Sequence, residues 1–146
     1  MQKLTEGKRV LVVLQDPELA AFVGECLQTF TRVPEDTTFV ESPKALRAQA
    51  SHVLSESLPE IMIFGNEYHS GESGIDVLHV MVSGKPLHQL TKTVLFSTEA
   101  EREEVQQEYK QYGVEVFLPK PVDPDVLIHT LAPLFQKEEH TDDMAT

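Results

Sequence analysis

The chain has 146 residues, 40% of them apolar and 25% charged, with a formal net charge of -12 at pH 7. That is one domain's length with enough apolar material for a substantial core, which argues against a disordered chain. The negative excess repels a phosphate backbone, so nucleic-acid binding is disfavoured and partners are expected to be proteins.

Residues 1–7 read as a short lead with no apolar stretch behind its charges. With no run approaching eighteen apolar residues, neither a secretory signal nor a membrane span is expected, and the expected location is the cytoplasm. Lys8 and Arg9 lead into Val10 to Leu14, a continuous apolar run of strand length, as a parallel strand covered on both faces requires. Asp16 is placed as the N-cap of a first helix, with Pro17 at its first position and Glu18 in its first turn. Leu19, Phe22, Val23, Cys26, Leu27 and Phe30 form its apolar stripe. Cys26 is the single cysteine; it cannot form an internal disulfide, and without a basic neighbour to lower its pKa it reads as a buried structural thiol. Arg32 to Asp36 is a loop, and Thr37 to Glu41 a short β-branched strand. Ser42 and Pro43 repeat the cap-then-proline signal for a second helix, whose inner face is Leu46, Ala50, Val53 and Leu54.

Pro59 to Leu78 is the central stretch. Ile61 to Phe64 reads as a fully buried strand that stops at Gly65, crosses a polar loop and enters a third helix running from Gly74 to about Val82, with Ser73 and Asp76 as a capping box. In that loop Tyr68 and His69 read as exposed recognition surface rather than as a metal ligand or nucleophile. The histidines show no paired metal-ligand spacing, and with one cysteine no zinc site is expected. Ser83 to Pro86 ends the third helix. Thr93 to Ser97 is the fourth strand. Thr98 with Glu101 forms a second capping box for a polar helix running from Glu99 to Tyr112, stopped by Gly113, whose candidate anchors for a partner are Val105, Tyr109 and Tyr112. Val114 to Leu118 is the fifth strand. Asp123 and Pro124 open a last helix with Leu127, Leu131, Leu134 and Phe135 inward. Residues 137–146 are an acidic tail carrying one lysine against four carboxylates, which leaves -9 on the rest of the chain.

Five strand and helix pairs in alternation predict an α/β fold: a doubly wound parallel five-stranded sheet with helices on both faces. Ligands bind such sheets in the crevice at the carboxyl ends of the strands, here beside the polar loop that follows Gly65.

The order Pro59-Glu60, four apolar residues, loop, Ser73-Gly74-Ile75-Asp76-Val77-Leu78, followed by Val94 to Thr98 and by Pro119-Lys120-Pro121, resembles the receiver domains of response regulators over residues 8–136. The resemblance implies the flavodoxin-like (βα)5 topology with strand order 2-1-3-4-5 and a role in two-component or phosphorelay signalling. It also implies a phosphate-accepting aspartate at the end of the third strand, where this chain has Gly65 by alignment from the strand or Asn66 by alignment back from Ser73-Gly74. The acidic pair that holds Mg2+ falls on Leu14 and Gln15. Leucine cannot ligate, and glutamine offers a neutral carbonyl. Asp16, one residue on, is read as a helix cap before a surviving ligand. Ser97 and Lys120 match the hydroxyl and lysine that meet the phosphoryl group, or else serve local backbone and solvent contacts; Pro121 is expected in cis; Phe117 matches the mobile aromatic, or is core filler.

The expected function is therefore that of a pseudo-receiver, with no catalytic residue, cofactor or metal. It would work by phosphorylation-independent contact with a signalling kinase or regulator, or as a homodimer, through the face made by the fourth helix, fifth strand and fifth helix. The alternative is a phosphotransfer-competent receiver that uses Glu67, or Asp16 with water-held Mg2+. A flavodoxin-like cofactor binder is poorly matched, because Leu14-Gln15-Asp16-Pro17 carries no glycine-rich phosphate loop.

Overall fold

Ile61–Gly65 is the axis of the structure: all five residues are buried, and each large side chain among them contributes about 1.5–3 kcal/mol relative to exposure. In the computed structural model this strand, β3, lies between β1 (Val10–Val13) and β4 (Lys92–Ser97), with β2 (Thr37–Val40) and β5 (Val116–Pro119) at the edges. Every pairing is parallel and the order is β2-β1-β3-β4-β5, as expected. The structure describes residues 9–31, 37–53, 59–69, 71–81, 92–98, 102–114 and 116–135, with the side chains of 49–53 and 81 left aside. The predicted lead, the loop from Arg32 to Asp36, the inner positions Ala50, Val53 and Leu54, the turn at Ser83 to Pro86 and the acidic tail fall outside that description.

Because successive strand residues point to opposite faces, the apolar runs divide into two cores. Leu11, Val13, Met62, Phe64 and Leu95 face α2 (Pro43–Val53), α3 (Gly74–Met81) and α4 (Glu103–Lys110). Val10, Val12, Ile61, Ile63, Val94, Phe96 and Leu118 face α1 (Pro17–Leu27) and α5 (Pro124–Phe135). On that second face Val23, Cys26 and Leu27 are buried as the stripe predicts, and Phe30 stacks on Phe135 with centroids 5.1 Å apart. Cys26 is buried; burial, and then the Glu25 carboxylate, pushes its thiol up, as befits a structural position.

The caps decide where the chain enters each helix. Asp16 is extended and its Oδ1 accepts from Glu18 N at 2.9 Å, with Pro17 following. At α3 the predicted box forms: Ser73 Oγ accepts from Ile75 N at 3.2 Å and Asp76 Oδ2 from Ser73 N at 2.8 Å. At α4 the expectation needs correction. The helix opens at Glu103, not Glu99, behind an extended Arg102 that makes no side-chain cap bond; Glu101 of the predicted box lies outside the described residues. Glu103 and Glu104 in its first turn supply the charge that the N-terminus favours.

Candidate functional site

The carboxyl ends of β1, β3, β4 and β5 bring the predicted positions together. One crevice of about 330 Å³ is lined by Leu14, Gln15, Asp16, Gly65, Glu67, Tyr68, His69 and Lys120, among others. A second, of about 250 Å³, continues past Asn66, Phe96, Ser97 and Thr98, with Lys120 and Glu67 shared by both.

Of the two residues at the end of β3, Gly65 lines the first crevice and Asn66 the second. A Cβ on Gly65 would lie 3.8 Å from Leu14 Cδ2, 3.8 Å from the Tyr68 hydroxyl and 3.9 Å from Lys120 Nζ. Asn66 belongs to a different network: its Oδ1 accepts from the Tyr109 hydroxyl at 2.5 Å and its carbonyl from Gly74 N at 3.1 Å. At the end of β4, Ser97 is buried, and its carbonyl accepts from Lys120 N at 3.1 Å. Among the described residues no carboxylate pairs with the Lys120 ammonium. The Lys120–Pro121 bond is cis.

Two tyrosines overturn their expectations. Tyr68 is not loop surface: it is 6% exposed, and its hydroxyl donates to Val13 O at 2.6 Å while accepting from Gly65 N at 3.0 Å. Burial, chiefly, holds it protonated far above the ordinary phenol range. The fold-back that brings it there uses Gly71 at φ 87°, a backbone that L side chains avoid, together with Gly71 N to Tyr68 O and Tyr68 N to Glu72 O bonds. His69, beside it, is exposed as expected, and its N–H donates to Gln15 Oε1 at 2.5 Å.

Tyr109 is not an anchor for a partner. It is 1% exposed, its ring is tilted on Phe64 with centroids 6.2 Å apart, and its hydroxyl lies at the α3 N-terminus. Burial first, and the Glu108 carboxylate second, push its phenol up to about 12; bonds from Ser73, Ile75 and Gly74 hold it back. The signal was in the sequence: in so polar a helix the few apolar positions are the ones that must face the core. Gly74 is required at the same junction, since a Cβ there would lie 2.6 Å from Gly65 O and 2.9 Å from the Tyr109 hydroxyl.

No family model matches the sequence, and no curated protein does either. Solved structures do match. The non-phosphorylated HemR receiver domain from Leptospira biflexa superposes with a TM-score of 0.69 at 14% identity, covering 88% of this chain and 94% of that one. A sensor protein from Polaromonas sp. JS666 gives 0.67 at 21% identity, over 88% and 96%. The receiver domain of the Francisella response regulator 1452 gives 0.63 at 20% identity, over 88% and 97%. The fold is the receiver fold.

In a receiver fold a bound Mg2+ would need oxygen ligands at the end of β1 and at the end of β3. The residues present do not fit it. Leu14 offers carbon, Gln15 Oε1 is engaged by His69 N–H, Asp16 caps α1, and Gly65 has no side chain. Among the described residues no three His, Cys, Asp or Glu side chains come together as a metal site. Glu67 is exposed, with its backbone bridged to Ser73, and so lies at the rim.

On the receiver face formed by α4, β5 and α5, Val105, Tyr112 and Phe117 are half-buried and pack against the core cluster that holds Tyr109. Tyr112 also contacts His79 of α3 edge-on, with a 3.1 Å bond from hydroxyl to Nε2. No helix among the described residues is long and apolar enough to cross a membrane.

Proposed function

We propose that this chain is a signal-transduction module of the receiver fold that works by phosphorylation-independent protein–protein interaction, as a pseudo-receiver in the cytoplasm. The observation that carries the reading is Gly65: a side chain at this end of β3 would begin 3.9 Å from Lys120 Nζ, and there is none. No acyl phosphate can form at a glycine, and the amide of Asn66 next to it is turned away into a bond with Tyr109. Ser97 and Lys120 are then remnants of a phosphoryl site rather than parts of a working one, and no catalytic step or cofactor is assigned. The fold neighbours support the signalling context as fold alone.

Partner contact is assigned to the α4–β5–α5 face, through the half-exposed Val105 and Tyr112, with a kinase, another regulator or a second copy as the partner. A body charge of -9 outside the tail makes a basic protein surface the better match and nucleic acid the poorer one. Capture of a partner, and chromatographic size, should fall in Val105→Glu and Tyr112→Glu variants compared at matched folded fraction by circular dichroism, since both side chains also pack on the core cluster.

A second reading has one observation in its favour: Glu67 lines both crevices together with Lys120, so a displaced acid, or Asp16 with water-held metal, could accept a phosphoryl group. Incubation with acetyl phosphate, or with beryllofluoride and Mg2+, separates the two. The first reading expects no added mass and no rise in melting temperature; a stoichiometric phosphoryl adduct would replace it with the second.

A further inference from the structure

Gly65 leaves a space at the top of the sheet, and the groups around it have donors to spare. A side chain on Gly65 would begin 3.9 Å from Lys120 Nζ and 3.8 Å from Leu14 Cδ2. None begins there, and among the described residues no carboxylate pairs with the Lys120 ammonium. Gln15 is half-buried in the same crevice, and its Oε1 is taken by the His69 N–H. The NH2 end, with two N–H donors, is the part of that amide left for a ligand. An ammonium beside an amide NH2 is a site for a carboxylate, the acceptor that makes the strongest bonds to such donors.

A carboxylate alone is nevertheless the wrong charge for the crevice as a whole. Asp16 and Glu67 line it together with Lys120, so two carboxylates stand against one ammonium. Glu67 is exposed at the rim and makes no ion pair with Lys120, although both residues line the same two crevices. A free anion is drawn by the lysine and repelled by the two acids; a molecule with an anionic and a cationic end is attracted by all three. Leu14 and Leu19 add carbon to the wall. The volume of about 330 Å³ falls at the small end of the range of ligand sites, about 300–1,000 Å³.

We propose that this crevice binds a free α-amino acid with an apolar side chain, its carboxylate on Lys120 and the Gln15 amide, its ammonium toward Glu67 and Asp16, and its side chain along Leu14 and Leu19. The proposal adds a ligand to the pseudo-receiver reading and rests on it, since it needs the crevice free of metal and phosphoryl group. L-leucine is titrated into the natural chain, followed by calorimetry and by the amide NMR signals of Gly65 and Lys120. Saturable shifts at both amides are expected. Isocaproate, which lacks the ammonium, and isoamylamine, which lacks the carboxylate, should each bind weaker by about tenfold or more. Lys120→Gln should weaken L-leucine by about tenfold and leave isoamylamine no weaker. Glu67→Gln should weaken L-leucine and tighten isocaproate, opposite signs that a general loosening of the fold does not produce. Absence of a saturable shift at Gly65, equal affinity for isocaproate and L-leucine, or tighter binding of inorganic phosphate than of L-leucine would overturn the proposal. If Lys120→Gln does not fold, the exposed Glu67→Gln change decides by the same pair of signs. The underlying reading fails separately: beryllofluoride with Mg2+ raising the melting temperature of the natural chain would sink it whether or not L-leucine binds.

Discussion

Replacing Tyr109 by alanine separates a core residue from a surface anchor by a margin no assay can miss. The side chain is among the largest fully buried ones, packed on Phe64 and bonded to Asn66 across the α3–α4 junction. Truncating a buried aromatic costs about 3–5 kcal/mol through lost transfer energy and residual cavity, a large share of the 5–15 kcal/mol that holds a typical domain together. With a urea dependence of about 1.5–2 kcal/mol/M for a domain of this size, the unfolding midpoint should fall by roughly 2 M. Tyr109→Phe keeps the ring and removes only the hydroxyl; Asn66 Oδ1 loses its donor, at about 1–3 kcal/mol, and the midpoint should fall by roughly 1 M. Glu104→Ala, on the exposed side of the same helix, should stay within about 0.5 kcal/mol of the natural chain. The measurement is equilibrium urea unfolding followed by circular dichroism. A Tyr109→Ala midpoint indistinguishable from that of Glu104→Ala would refute the burial argument and return Tyr109 to the surface.

The same phenol sets an alkaline limit. Its folded pKa of about 12 lies above the unfolded value of about 10, so the folded state binds more protons between them. This contribution is fully present below about pH 10 and is lost as pH rises through 12; melting curves from pH 9 to 12 should show the decline, and Tyr109→Phe should lessen it, the raised Tyr68 phenol supplying the rest. Gly74→Ala, which drives a Cβ to 2.6 Å from a backbone oxygen, should cost about 1–3 kcal/mol or more. Gly71→Ala meets no atom within 4 Å and pays only for its positive φ, about 1–2 kcal/mol, so the ordering of the two in thermal melts tests the contact geometry. Asp16→Ala should cost about 1 kcal/mol by loss of the cap and Asp16→Asn almost nothing; a natural-chain Mg2+ response abolished by Asp16→Asn would instead make that carboxylate a ligand. Gly65→Ala should be neutral or stabilising by about 0.4–1 kcal/mol, because its new Cβ meets only ordinary contacts at 3.8–3.9 Å and its φ is not positive. A loss above about 1 kcal/mol would show that the glycine is demanded by packing.

Much of the architecture could be read from local chemistry alone. Val10 to Leu14 and Ile61 to Phe64 are continuous apolar runs because helices cover both faces of the sheet, and Asp16-Pro17 and Ser73 with Asp76 cap the helices they precede. What escaped were contacts between parts of the chain distant in sequence. Nothing in Glu67-Tyr68-His69 announces that the chain doubles back at Gly71 and sends Tyr68 under β1, 55 residues away. The ambiguity between Gly65 and Asn66 came from the same loop, whose extra length shifts any count made from Ser73. The structure sets a Cβ on Gly65 3.9 Å from Lys120 Nζ and bonds the Asn66 amide oxygen to Tyr109. The helix start at Glu103 was not legible for the opposite reason: a cap motif is a local preference, and Arg102 in extended conformation shows where the described helix opens.

Gly65 and Gly74 lie at the two ends of one loop and are glycine for different reasons. Gly74 is forced by the backbone oxygen of Gly65 and the ring of Phe64, so its lack of a side chain is a packing requirement. No such force acts at Gly65, where there is room for a side chain that the chain does not use. Two carboxylates held about 4 Å apart at the strand ends would repel by about 4 kcal/mol at an effective dielectric of 20, and a divalent ion would be needed to offset it. With Leu14 and Gly65 at the strand ends neither the repulsion nor the need for the ion arises there, and the Tyr68 hydroxyl bonds both Gly65 N and Val13 O. On the proposed reading, contact at the α4–β5–α5 face would then need no ion at the crevice.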